Sequence, residues 1–152
     1  MKILPSAFLV LALLFSGIPV LAGGNDVAIE GAWSRASIGT SRPGVTYMTL
    51  RNSGDAPVVV TGLRTDLALM PMIHTSTTDV QGVTRMSHME VVEIAAGETV
   101  EFAPGGLHVM LMNLQRPMVE GESFTPSLIL EGGGEIAVEV PILGIAARGP
   151  AE

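Results

Sequence analysis

Leu107-His108-Val109-Met110-Leu111-Met112-Asn113-Leu114 (LHVMLMNL) is an apolar run of strand length, closed by Gly105-Gly106 before it and Arg116-Pro117 after it. A short apolar run between such breakers reads as a buried strand. Successive side chains of a strand point to opposite faces. His108, Met110 and Met112 therefore share one face, and Leu107, Val109 and Leu111 share the other. The aliphatic set can anchor in a core. The imidazole and the thioethers then project together, as two or more soft donors fixed on a rigid element.

Strand signals continue outward from this run. Residues 45–51 (VTYMTLR) are rich in strand formers and meet the turn cluster Asn52-Ser53-Gly54-Asp55. Residues 58–63 (VVVTGL) follow as a second strand. Residues 90–94 alternate loosely, Ala96-Gly97 turns the chain, and residues 99–102 resume an extended run before Pro104. Residues 123–130 and 135–140 complete the set on either side of Gly132-Gly133-Gly134. A short helical turn is expected over residues 65–70, before Pro71. Beyond the first 22 residues no apolar stripe at i, i+3, i+4 and i+7 persists for three turns. Several short strands between turn signals predict an all-β sandwich or barrel.

The first 22 residues stand apart. Lys2 supplies a positive start, residues 7–15 (AFLVLALLF) an apolar stretch, and Val20-Leu21-Ala22 a cleavage-site pattern. This predicts a secretory signal peptide over residues 1–22, cleaved near Ala22/Gly23. Gly17 and Pro19 interrupt a stretch already short for a span of about 20 residues. Residues 23–146 form the predicted single domain, and residues 147–152 a frayed tail. No later apolar run reaches spanning length, so no stable membrane insertion is expected after cleavage. The sequence has no cysteine, which removes disulfides, thiolate ligands and a lipid-bearing thiol alike. The formal charge is −7 and Lys2 is the only lysine, so cleavage takes the domain to −7 − 1 = −8. That balance argues against nucleic acid or an anionic membrane surface as partner.

His74, Met86, His108 and Met110 form the frame H-x11-M-x21-H-x-M. The polar segment around Thr75-Ser76-Thr77-Thr78-Asp79 and Gln81-Gly82 predicts a hairpin-like, mobile loop that brings His74 and Met86 together at its ends. Imidazole and thioether donors without thiolate or a carboxylate cluster suit copper, and Cu(I) above all. His88 is the third histidine; it pairs at i+2 with Met86 and is a second-tier candidate. Met70, Met72 and Met112 have two readings, a secondary landing surface for copper and core packing, and packing is the commonest use of methionine in strands.

The stretch from His74 to Met118 resembles the periplasmic copper chaperone family PCu(A)C, whose hallmark is this His, Met, His-x-Met frame. The resemblance extends to Pro104-Gly105-Gly106-Leu107-His108-Val109-Met110-Leu111-Met112, to Arg116-Pro117 and Glu120-Gly121, and upstream to Ala32-Trp33-Ser34-Arg35 and Tyr47-Met48-Thr49-Leu50-Arg51-Asn52. It covers nearly all of the chain after the leader. It implies a cupredoxin-like Greek-key β-barrel or sandwich over residues 23–146. It also implies periplasmic location, Cu(I) as cargo with Cu(II) as the second ion, and delivery to the CuA centre of cytochrome c oxidase subunit II beside a Sco-type protein. Family members often carry a carboxylate next to the first histidine. Here its neighbours are Ile73 and Thr75, a departure that bears on Cu(II) more than on Cu(I).

Rival functions fare less well. A blue-copper electron carrier needs a cysteine thiolate. A Ser87, His88, Asp79 set lacks a nucleophile elbow, and no P-loop, dinucleotide fingerprint or H-E-x-x-H is present, so no enzyme is expected. Copper buffering or resistance shares the same ligands and differs only in the recipient. A metal-free exported β-domain is the remaining alternative.

Overall fold

The computed structural model describes residues 26–150. The predicted signal peptide lies outside the described residues. Twelve strands follow in order: β1 Val27–Arg35, β2 Gly44–Asn52, β3 Val58–Arg64, β4 Ala68–Thr78, β5 Thr84–Met89, β6 Val92–Ile94, β7 Thr99–Phe102, β8 Leu107–Leu114, β9 Ser123–Phe124, β10 Ser127–Leu130, β11 Glu135–Ala137 and β12 Val140–Leu143. They build an eight-stranded sheet in the order β5-β4-β8-β7-β2-β1-β12-β9, with β8 also pairing β2, and a four-stranded sheet in the order β11-β10-β3-β6. The all-β sandwich expected from the sequence is the fold observed.

The core lies between the two sheets. Met48 and Leu50 of β2, Ile73 of β4 and Val109 and Leu111 of β8 meet Val58, Val60 and Leu63 of β3, Ile94 of β6 and Leu128 and Leu130 of β10. Val109, Leu111, Leu50, Val60, Ile94 and Leu128 are fully buried, which is the aliphatic half of the alternation read from the sequence. Burying each such side chain contributes roughly 1.5–3 kcal/mol. Asn52, at the end of β2, is buried and closes the turn after it. Its Nδ2 donates to the carbonyls of Ala56 (2.8 Å), Ile94 (3.0 Å) and Ala95 (3.2 Å), and its Oδ1 accepts from Gly54 N–H (3.0 Å).

Three local expectations change. The helical turn over residues 65–70 is absent: Leu67 is buried and β4 begins at Ala68. Pairing of β4 with β8 satisfies that backbone better than an isolated turn could. The expected strand over residues 123–130 is two short strands, because Pro126 between them has no N–H for the ladder. The segment between His74 and Met86 is no loose loop. β4 and β5 form a regular hairpin from Ile73↔Met89 to Thr78↔Thr84. Only residues 79–83 turn, with Asp79 Oδ1 accepting from the N–H groups of Gln81 (3.1 Å) and Val83 (2.9 Å).

Candidate metal centre

β4 lies between β5 and β8, and the two registers align all three histidines in one row. His74 faces His88 on one side and His108 on the other. The His74 and His108 rings stack at 6.0 Å between centroids with 21° between planes, and His88 meets His74 edge-on at 5.5 Å. This row occupies the outer face of the large sheet. Its neighbours in sequence, Ile73 and Val109, are paired and buried on the inner face.

Two of the three imidazoles are fixed by a backbone carbonyl, and the third is not. His108 is buried, and its Nδ1 lies 2.9 Å from the Gly106 carbonyl. A carbonyl only accepts, so Nδ1 carries the proton and Nε2 keeps a free lone pair in the neutral ring. His88 is held likewise by the Ile73 carbonyl at 3.1 Å. His74 is the exception: its Nδ1 is buried without a hydrogen bond of normal geometry, the Met72 carbonyl interacting with the ring only weakly. Burial, chiefly, pushes the His74 pKa below the usual imidazole range. The neighbouring His108 and His88 push it the same way, and the Met72 carbonyl opposes them weakly. In its neutral form the ring keeps one nitrogen lone pair free of a proton.

Of the four residues in the sequence frame, three line one open cavity of about 220 Å³: Met86, His108 and Met110. His74 is outside that wall and reaches the group through its stack on His108. Met86 faces Ser76 across the hairpin rather than His74, and its side chain is exposed. Arg35, Tyr47, Ser76 and Pro104 complete most of the rim. Gly105, in the turn that leads into β8, has φ 86°, a conformation that strains other residues. The Gly106 carbonyl that holds His108 sits directly after it.

Arg35 was not singled out as a site residue. Its Nε donates to the Ala147 carbonyl at 2.7 Å, and its guanidinium lies 5.7 Å from the Trp33 ring and 5.6 Å from the Tyr47 ring. Burial raises the Tyr47 pKa and Arg35 partly opposes that. Among the described residues that line the cavity, Arg35 alone carries a formal charge. A positive rim penalises a divalent guest more than a monovalent one. Among the described residues no three His, Cys, Asp or Glu side chains are grouped to hold a metal ion.

A family model matches residues 27–142, nearly the whole described region; its description is LpqE-like, "Putative lipoprotein LpqE-like". The chain belongs to the LpqE-like family. Its type is PCuAC, the family that the sequence frame resembles. Among curated relatives of this LpqE-like chain is "Putative lipoprotein Lxx21020" of Leifsonia xyli subsp. xyli, 28% identical over 118 residues, which are 78% of this chain and 70% of the relative. Among solved structures, the solution structure of CuI-DR1885 from Deinococcus radiodurans is 31% identical, with TM-score 0.62, over 85% of this chain and 81% of the other. The apo PCuAC domain of PmoF2 shares the fold with TM-score 0.68 at 23% identity, over 84% of this chain and 97% of that domain. The fold is thus cupredoxin-like, as the resemblance implied.

The LpqE-like chain departs from the core-packing reading at three methionines. Met70, Met72 and Met112 are not in the core. They lie on the outer face with the histidines, because β4 and β8 keep strict alternation across Met70↔Met112, Pro71↔Leu111 and Met72↔Met110. The signal was present in the HVMLM and MPMIH spacings, which put methionine and histidine on one parity.

Proposed function

We propose that this chain is an exported, non-enzymatic copper carrier that binds Cu(I) through His74, Met86, His108 and Met110. The observation that carries the reading is the convergence of Met86, His108 and Met110 on one cavity, with the His74 ring, whose Nδ1 lacks a hydrogen bond of normal geometry, stacked beside His108. Solved relatives include a copper-bound PCuAC domain of PmoF2 and a CuI form of DR1885, which supports copper as cargo. The donor set is neutral, so a monovalent ion adds a single charge beside Arg35. Thioethers hold no proton at ordinary pH, and soft sulfur favours Cu(I) over Cu(II).

The Gly106 carbonyl fixes the His108 tautomer and leaves Nε2 for the ion. His74 comes from β4, Met86 from β5, and His108 and Met110 from β8, so the proposed ligands stand on three neighbouring strands of one sheet. Met86, on the edge strand and exposed, is the first ligand that an incoming donor can replace. Cysteine thiolates of an acceptor are stronger donors than thioethers, and the ion then moves by ligand substitution without a change of oxidation state. The proposed acceptor is the CuA centre of cytochrome c oxidase subunit II, in the periplasm, with a Sco-type protein as co-worker.

Anaerobic Cu(I) titration against a chromophoric chelator, with His108→Ala/Met110→Ala alongside, tests the site. One tight equivalent that disappears in the variant is the expected result; binding indifferent to both residues sinks the proposal. A deletion strain tests delivery. Loss of oxidase activity that added copper restores is expected, whereas copper sensitivity with normal oxidase would mark the chain as a copper buffer.

A further inference from the structure

The outer face of β4 and β8 holds more soft donors than the proposed one-ion site uses. Continuing from the His74↔His108 pair, the register sets Met72 opposite Met110 and then Met70 opposite Met112. Opposed side chains of an antiparallel pair have Cβ atoms about 5 Å apart, and successive pairs on one face are about 7 Å apart. Methionine side chains, unbranched and flexible, span either gap. Two thioether pairs thus extend the imidazole pair along one line.

Packing does not account for them. Met70 is 50% exposed, and Met72 and Met112 are half-buried on the face away from the core. The end of the line is also fixed. Asn113 adopts φ 55°, which turns Leu114 back into the core and ends the outward alternation at Met112. Asn113 Nδ2 reaches Met70 Sδ at 3.5 Å. A run of oxidisable thioethers facing solvent is costly to keep and apt for one chemistry, the binding of a soft monovalent cation.

The geometry points to a second Cu(I) site at Met70, Met72 and Met112, weaker than the first and continuous with it through Met110. An ion bound there moves toward His108 by exchanging one thioether at a time and remains Cu(I) throughout. The inference rests on the proposed primary site, and the test separates the two.

The purified protein, with ¹³C-methyl methionine, is titrated anaerobically with Cu(I) and, in parallel, with redox-inert Ag(I). The Met86 and Met110 methyls should move with the first equivalent and the Met70, Met72 and Met112 methyls with the second. Met70→Leu/Met112→Leu, a volume-conserving change, should reduce the stoichiometry from about two to about one and leave the first affinity within about threefold. Methyl groups of Met70, Met72 and Met112 that stay still at excess metal, or a second equivalent that survives the double substitution, overturn the inference alone. A first equivalent that persists in His108→Ala/Met110→Ala overturns the primary site and this one with it.

Discussion

Replacing His74 by leucine should stabilise the metal-free protein and abolish its Cu(I) binding. The buried Nδ1 of His74 has no hydrogen bond of normal geometry. A buried polar group left unmatched costs about 1–3 kcal/mol. Leucine removes that cost and places an apolar side chain between His88 and His108. The substitution also loses the ring contacts at 6.0 Å with His108 and 5.5 Å with His88, each worth up to roughly 1 kcal/mol. The balance is a gain of about 1 kcal/mol, or about 3–5 °C in Tm for a domain of this size. Urea unfolding at pH 7.5 with a copper chelator present reads the first effect. The second is read by Cu(I) itself: ligand at 100 times its Kd stabilises a protein by about 2.7 kcal/mol, and the variant should show none of that rise. An apo His74→Leu protein less stable than wild type by 1 kcal/mol or more would mean that Nδ1 is matched after all. Retention of the Cu(I)-induced rise would remove His74 from the ligand set.

Three further outcomes are expected. The folded-state pKa of His74 lies below its unfolded value, so its contribution to stability is complete above about pH 6.5 and is lost as pH falls through the folded value. Urea midpoints measured from pH 7.5 down to 5 should therefore fall less in His74→Leu than in wild type, and equal slopes would contradict the burial argument. Met86→Leu and Met110→Leu should each weaken Cu(I) binding by about tenfold or more while moving Tm little, measured by chelator competition; an unchanged affinity in both would make the thioethers bystanders. Asn52→Leu should cost about 2–4 kcal/mol, since it strands the carbonyls of Ala56, Ile94 and Ala95 and the N–H of Gly54; a loss below about 1 kcal/mol in denaturant unfolding would contradict that account.

Much of the large sheet could be read from the sequence because its strands obey a period of two. Leu107–Leu114 states both faces at once, aliphatic inward and soft-donor outward, and residues 99–102 coincide with β7. Pairing was not legible. That His74 stands between His88 and His108 depends on two registers, and nothing local to Ile73-His74-Thr75 specifies them. The hairpin is legible but its regularity is not: Thr75, Ser76, Thr77 and Thr78 look like turn residues, whereas on a strand their branched or small side chains pair across to Thr84, Arg85, Met86 and Ser87. The core-packing reading of the methionines at 70, 72 and 112 fails for a related reason. Composition says that methionine fills cores, but parity with His74 and His108 decides which face receives it. The helical turn at residues 65–70 yielded to tertiary pairing, as weak propensities do.

On the proposed reading, the placement of donors on the outer face rather than between the sheets follows from what a carrier must do. A site inside the core would exchange its ion only by local unfolding, at a cost approaching the stability of the whole domain. On the outer face, the inward side chains Ile73, Val109 and Leu111 anchor β4 and β8 in the core, so the donors keep their spacing while Met86 stays open to an acceptor. Exposure alone would let protons and divalent ions compete. Burial of the His74 ring lowers its proton affinity, and Arg35 on the rim makes a second positive charge on the guest unfavourable. Rigidity comes from one face of each strand and lability from the other. The same alternation that defines the fold therefore allows a bound ion to be both held and handed on.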